Sequence, residues 1–305
     1  MPIVNTTMPI TAKSCDEMIL AIVERYPFCR TEVLTQTAFG RPLRTLVIGN
    51  GPRKVVYSAA HHANEWITSL LLLKFAEEFA EAIASGGRIG GMDAGELAKV
   101  ATVYMVPMVD PDGVDLVVGA TRPGTVEYEL ARRLADHYPD IPFPDGWKAN
   151  LLGVDLNLQY PAGWLQAREI KFAQGFTKPG PRDYVGRAPL NQLESRAMAG
   201  YTEFIDPAIV IAFHTQGKLI FWTFRDIEVP GAEELGREFA QLSGYTLADV
   251  PYESSFAGYK DWFIRNFRRP GYTIEAGTGR NPLPIEQFDE MYTATLPIMI
   301  KGAIG

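Results

Sequence analysis

Residues 55–68 read VVYSAAHHANEWIT. The apolar, β-branched start of this stretch has strand character, and it delivers His62 and Glu65 in His-x-x-Glu spacing at what the pattern predicts is a strand end. An imidazole and a carboxylate at that spacing close on one metal ion, and a third protein ligand would leave a coordination position free for water, as catalytic zinc sites require. A His and a Glu three residues apart also occur by chance, so the third ligand decides the reading. His61 competes for the first ligand position, at His-x-x-x-Glu spacing.

The other histidines are His137 and His214. His214 repeats the setting, because residues 208–213, AIVIAF, form a short apolar run that ends at the imidazole. His137 lies in LARRLADHYPD among charged, helix-patterned neighbours, and a surface histidine accounts for it. A third run, GYTIE at residues 271–275, places Glu275 where another apolar strand stops, followed by the turn-rich AGTGRNPLP. In an open α/β sheet, ligands sit beyond the carboxyl ends of the strands, so these residues are expected to converge on one crevice, with Glu275 as a base.

The 305 residues suit one large α/β domain, 1–305, with residues 1–40 as a helical segment packed on it. Charged residues at 21% and hydrophobic ones at 47% fit a globular protein. The net charge of −7, with no basic stripe interleaved with aromatics, argues against nucleic acid as a partner. The N-terminus, MPIVNTTMPITAKSC, lacks a basic region followed by an apolar core, and no run reaches the roughly 18 apolar residues of a membrane span. A cytoplasmic protein with no membrane partner is expected. Cys15 and Cys29 are both placed in an N-terminal segment patterned as a helix (DEMILAIVERYPF) and are expected as buried thiols.

Periodicity predicts helices near residues 15–25, 65–84, 128–137, 231–243, 258–266 and 285–303. It predicts strands near 44–48, 54–59, 100–109, 208–213, 218–224 and 271–275. GGRIGGMD (86–93) lacks the Lys-Ser/Thr ending of a phosphate-binding loop. DPDG (110–113) reads as a turn, and residues 122–190 as a long excursion that builds the walls of a site.

With these residues in hand, the chain resembles the zinc carboxypeptidases of the carboxypeptidase A type. HANEW matches that family's first metal motif, AFHTQ its second-histidine segment and YTIEAGTG the segment of its catalytic Glu, while VPMVDPDG and GVDLN match two further blocks. The resemblance covers most of the chain and implies a three-layer α/β/α fold with a mixed central sheet. It implies one Zn²⁺ held by His62, Glu65 and His214, with Glu275 deprotonating the water and passing the proton to the leaving amine. Where that family carries Asn-Arg to grip a peptide's C-terminal carboxylate, this chain reads Asn157-Leu158, and an apolar side chain cannot make an arginine's bidentate bonds. Asn64 also replaces a substrate-contacting arginine of the first motif.

The strings HANEWITS, VPMVDPDGVDLV, WKANLLGVDLNLQYPAGW, RDYVGRAPL and FHTQGKLIFW are similar to the branch of that family that cuts γ-D-glutamyl-meso-diaminopimelate bonds in peptidoglycan stem peptides. That similarity implies a muropeptide substrate. Leu158 stands where the branch usually keeps an acid. Lys148, in WKAN, aligns with the family's oxyanion-supporting arginine and would act as a point charge; a plain surface lysine is the alternative. Tyr252 is the nearest candidate for the family's site tyrosine, and Asn157 falls inside a matched block. A substrate rich in carboxylates calls for cations near the crevice, for which Arg182, Arg187 and Arg280 are candidates, each equally readable as solvated charge. Two other readings remain: an amidohydrolase of the same fold with another acyl amino acid or peptide substrate, and an inactive protein that binds muropeptides.

Overall fold

The computed structural model describes residues 2–305. The chain begins with α1 (Ala12–Arg25), whose first turn is closed by Thr11 and Ser14, each side chain accepting the other's backbone N–H. A hairpin, β1 (Val33–Gln36) and β2 (Pro42–Arg44), leads into β3 (Leu46–Gly49) and β4 (Arg53–Ala59). A 3₁₀ turn at Ala63–Glu65 precedes α2 (Ile67–Ser85). A small hairpin, β5 (Arg88–Ile89) and β6 (Met92–Asp93), is followed by α3 (Ala94–Val100), β7 (Ala101–Val106), α4 (Pro111–Val117) and α5 (Val126–Ala135). The remainder is α6 (Trp164–Ala173), α7 (Leu193–Ile205), β8 (Ile209–His214), β9 (Leu219–Phe221), α8 (Ala232–Ser243), β10 (Thr246–Ala248), α9 (Tyr259–Phe267), β11 (Gly271–Glu275) and α10 (Phe288–Ile304).

Seven strands form one sheet in the order β10-β9-β11-β8-β4-β7-β3. Its centre is parallel, through the pairs β11/β8, β8/β4 and β4/β7, whereas β3 and β9 run antiparallel to their neighbours β7 and β11. This is the mixed α/β sheet expected. Alternation along each central strand divides its side chains between two cores. Val55, Tyr57, Ile211 and Phe213 pack with α1, α2, α3, α8 and α10, while Val56, Val210 and Ala212 pack with α6, α7 and α9. With both faces covered, every residue of β8 is buried, which is why that strand reads as an unbroken apolar run.

Several local expectations change. Asp110-Pro111 starts a helix rather than a turn: the Asp110 carboxylate accepts the Gly113 N–H at 3.0 Å and Pro111 occupies the first turn of α4. The glycine-rich GGRIGGMD closes the β5–β6 hairpin, with Gly90 and Gly91 at positive φ. Glu65 lies in the 3₁₀ turn before α2 and not in the long helix itself. Residues 44–48 split at Thr45 between β2 and β3. The 100–109 strand is shorter at both ends, since Val100 closes α3. Within residues 1–40 only α1 is an α-helix, and Cys29 lies beyond it; both cysteines are free and buried, as expected. The helices α6 and α7 carry no strong periodic signal in sequence and were not anticipated. No helix among the described residues is long and apolar enough to cross a membrane.

Candidate metal centre

His62 precedes and Glu65 ends the one-turn 3₁₀ segment that follows β4, and with three residues per turn a side chain at i meets one at i+3. Thr68 braces this turn by donating its hydroxyl to the Glu65 carbonyl at 2.7 Å and accepting the Ala60 N–H at 3.0 Å. The Ala63 N–H donates to the Lys148 carbonyl at 3.1 Å, which ties the turn to the WKAN segment. His214 is the last residue of β8 and Glu275 the last of β11, and the parallel register pairs them directly. Tyr272 and Ile274 of β11 belong to the opposite core, so Glu275 points to the same side of the sheet as His214.

The three expected ligands meet. His62 Nδ1 is 2.9 Å from Glu65 Oε1, His214 Nδ1 is 2.8 Å from Glu65 Oε2, and the two Nδ1 atoms are 3.2 Å apart. Tetrahedral ligands at zinc-like bond lengths of 2.0–2.1 Å lie about 3.3 Å from one another, so this donor set fits one such ion, and its two-imidazole, one-carboxylate chemistry suits zinc. Without a cation or shared protons between them, three lone-pair-bearing atoms turned to one point would repel. Asp155 Oδ1 stands 3.3 Å from His62 Nε2, on the far side of the ring, where it fixes the tautomer that leaves Nδ1 for metal. The Thr215 N–H donates to Glu65 Oε2 at 3.3 Å. His61 turns away from the cluster: it is fully buried, stacked between His214 and Tyr259, with Nε2 3.3 Å from the Tyr160 hydroxyl.

Electrostatics follow from this packing. Burial alone would lower the His62 pKa, but the Glu65 and Asp155 carboxylates overcome it and raise it to about 9, against the opposing charge of Lys148. Burial would raise the Glu65 carboxyl, yet the two imidazoles hold it well below the usual carboxylate range. His214 is lowered, chiefly by burial. Glu275 is pushed up to about 8 by burial and then by the Glu65 charge, while Lys148 and His62 oppose the shift. A bound divalent cation would draw Glu275 back down.

Two adjoining cavities, of about 260 and 560 Å³, share Lys148, Phe221 and Glu275 in their walls. The smaller also holds His62 and Asn157, whose Oδ1 accepts the Tyr259 N–H at 3.0 Å. The larger holds Glu65, Asn64, Arg182 and the exposed Arg280, with Arg182 Nε bonded to Asp183 at 2.6 Å. Lys148, Asn157, Arg182 and Arg280 are thus brought to the centre. Tyr252 is not: it is 67% exposed, its ring packs edge-on against Phe256, and it lines neither cavity. Arg187 is exposed and lines neither cavity. Sequence reasoning missed Asp155, although GVDLN flagged its neighbourhood, and two buried ion pairs in the smaller cavity, Lys171–Asp183 and Lys260–Asp261. Nothing in the local sequence marks either lysine as inward-facing.

The profile of the zinc carboxypeptidase family matches residues 16–297, and the chain belongs to that family. It is 42% identical over 277 residues to gamma-D-glutamyl-L-diamino acid endopeptidase 1 of Lysinibacillus sphaericus, a match covering 91% of this chain and 68% of the relative. It is 36% identical over 289 residues to the protein YqgT of Bacillus subtilis (strain 168), covering 94% and 75% of the two chains. Among solved structures, thrombin activatable fibrinolysis inhibitor superimposes with a TM-score of 0.76 at 18% identity, covering 99% of this chain and 76% of the other. The murein-tripeptide amidase MpaA of Escherichia coli O157 does so with a TM-score of 0.54 at 18% identity, covering 89% and 91%. At those identities the two structures speak to the shared fold.

Proposed function

We propose that this protein is a zinc metallopeptidase that hydrolyses the γ-D-glutamyl to meso-diaminopimelate amide bond of peptidoglycan stem peptides, acting on soluble muropeptides in the cytoplasm. The observation that carries the chemistry is the meeting of His62, Glu65 and His214 at one point with Glu275 on the adjacent strand end. The likeness to the Lysinibacillus endopeptidase supports the substrate class.

One zinc ion held by His62, Glu65 and His214 would lower the pKa of water towards about 7 and polarise the scissile carbonyl. Glu275 accepts the proton of the attacking water on its carboxylate and delivers it to the leaving nitrogen. The carbonyl carbon gains one C–O bond and loses the C–N bond, leaving a γ-carboxylate on D-glutamate and a free amine on diaminopimelate. The Lys148 ammonium, in the wall between the cavities, stabilises negative charge on the carbonyl oxygen as it develops. Asp155 holds the His62 ring in place throughout. Arg182 and Arg280, on the larger cavity, supply positive charge for a substrate carboxylate.

The reading is tested by incubating zinc-loaded protein with L-Ala-γ-D-Glu-meso-diaminopimelate, the corresponding tetrapeptide, and a panel of acylated amino acids and ordinary peptides. Release of diaminopimelate, or of its D-Ala adduct from the tetrapeptide, is expected. Preferential trimming of ordinary C-terminal residues would transfer the protein to another activity of the family. Zinc-free, inert protein that still bound muropeptide would make it a binding protein.

A further inference from the structure

His62 and His214 enter the metal centre in the same way, through Nδ1, yet the far sides of their rings differ. His62 Nε2 faces Asp155 Oδ1 at 3.3 Å, whereas His214 Nε2 is buried and bonded to no protein group. A neutral imidazole that offers Nδ1 to a cation carries its proton on Nε2, so His214 presents a buried donor that needs an acceptor. Two more buried polar atoms without a protein partner lie on the same side of the sheet, Ser58 Oγ and His61 Nδ1. Ser58 shares its side of β4 with Val56 and pairs with Ala212, two residues before His214 on the neighbouring strand. His61 follows the end of β4, where Ala60 is left-handed (φ +47°), its N–H held by Thr68 and its carbonyl by the Asp110 N–H. The His61 ring lies 5.6 Å from that of His214 at an interplanar angle of 24°. Ring N–H groups point along their own planes, so rings stacked this way bond through a small molecule at their edge and not to each other. None of the three residues is more than 1% exposed.

We propose that one buried water joins Ser58 Oγ, His61 Nδ1 and His214 Nε2, and that through it His61 is the positioning residue of His214. The bonding closes with nothing left over. The water accepts the His214 Nε2–H and the Ser58 O–H and donates to His61 Nδ1, which makes the three bonds usual for an interior water. His61 is then the tautomer protonated on Nε2, and that N–H donates to the Tyr160 hydroxyl oxygen 3.3 Å away. Tyr259 stacks against the His61 ring at 5.4 Å, and its own hydroxyl is bonded to Thr202 at 2.7 Å. His61 is therefore clamped on its faces by His214 and Tyr259 and at one edge by Tyr160, which leaves the Nδ1 edge to do for His214 what Asp155 does for His62. The two devices differ in charge: Asp155 is an anion, and a water backed by a neutral imidazole orients a ligand without adding charge. The inference rests on the metal-centre reading proposed above and is independent of which amide bond is cut.

Zinc affinity of the full chain, measured by competition with a chromophoric chelator, tests it beside the visible spectrum of the cobalt-loaded protein. His61→Phe keeps a ring in the stack and removes the acceptor. His61→Asn and His61→Gln are both amides, but the first places a polar atom near the former Nδ1 and the second near the former Nε2. His61→Phe and His61→Gln are expected to weaken zinc binding by about 10- to 100-fold, the usual cost of losing the partner of a metal-bound histidine, and to shift the cobalt bands. His61→Asn should recover most of that loss, and Ser58→Ala, which removes one of the water's three partners, should fall between. A ring that only fills the core would lower the melting temperature of the metal-free variants and leave zinc affinity the same in all of them, which overturns the inference. Should His61→Phe fail to fold, equal affinities of His61→Asn and His61→Gln overturn it. A high-resolution crystal structure of zinc-loaded wild type is expected to show a water within hydrogen-bond distance of both His61 Nδ1 and His214 Nε2; a His214 Nε2–H bonded elsewhere overturns the proposal. Wild type without affinity for zinc would sink the metal-centre reading together with this one, whereas variants that bind zinc like wild type remove only the role of His61 and leave the proposed reaction standing.

Discussion

At the scale of single residues, the centre is a set of groups whose charges depend on one another. The pKa of His62 is raised to about 9 in the metal-free protein, so below that pH its ring holds a proton between itself and Glu65. Zinc must displace that proton, because only the neutral imidazole is a ligand. Zinc affinity should therefore climb as pH rises and level off near 9, with a proton released on binding below that pH. Calorimetry in buffers of different ionisation enthalpy measures the release, and an affinity independent of pH from 6 to 9 would show that His62 carries no such proton. Lys148 makes a second residue-level expectation. Replacing it by Met should lower kcat about 10²-fold, the usual cost of one oxyanion donor, without reducing bound zinc. Unchanged turnover would make it the surface lysine that its sequence equally allowed.

At the scale of elements, the centre depends on how strand ends and one short turn are placed. Gly113 lets α4 approach that turn: a Cβ there would lie 2.7 Å from the Ala63 Cβ and 2.6 Å from the Ala149 carbonyl. Gly113→Ala should cost about 1–3 kcal/mol through overpacking and should weaken zinc binding by displacing the His62–Glu65 turn. A variant with wild-type melting temperature and zinc affinity would show that the turn is positioned independently of α4. The strands that end at the centre were legible as apolar runs, β8 and β11 stopping on His214 and Glu275 and β4 ending just before the His61–His62 pair, and burial on both faces leaves little alternation to confuse the reading. DPDG was misread because Asp-Pro opens a turn and a helix with the same local chemistry; the packed turn at Ala63, a spatial neighbour of Gly113 distant in sequence, decides between them. Asp155, Lys171, Lys260 and Asp261 escaped notice for a different reason. Asp155 and Lys171 matter through partners distant in the chain, which leave no period or spacing, and the adjacent Lys260–Asp261 reads as an ordinary solvated pair until packing buries it.

At the scale of the whole molecule, two cores on either side of one sheet fix β8 and β11 rigidly enough to hold His214 and Glu275 as neighbours. Metal binding feeds back on that scaffold, since an ion bound only by the folded state stabilises it by about 2.7 kcal/mol at one hundred times its dissociation constant. Chelation should therefore lower the melting temperature by roughly 5 °C, restored by zinc. Identical melting with and without chelator would mean that the three ligands hold no ion under those conditions. The most direct test of the mechanism is mass-spectrometric identification of products from L-Ala-γ-D-Glu-meso-diaminopimelate, using zinc-loaded wild type and Glu275→Gln. Wild type is predicted to release meso-diaminopimelate and L-Ala-D-Glu, and the variant to keep its zinc while losing turnover by about 10²- to 10⁴-fold. Absence of those products from wild type, or their undiminished formation by zinc-loaded Glu275→Gln, would contradict the assignment.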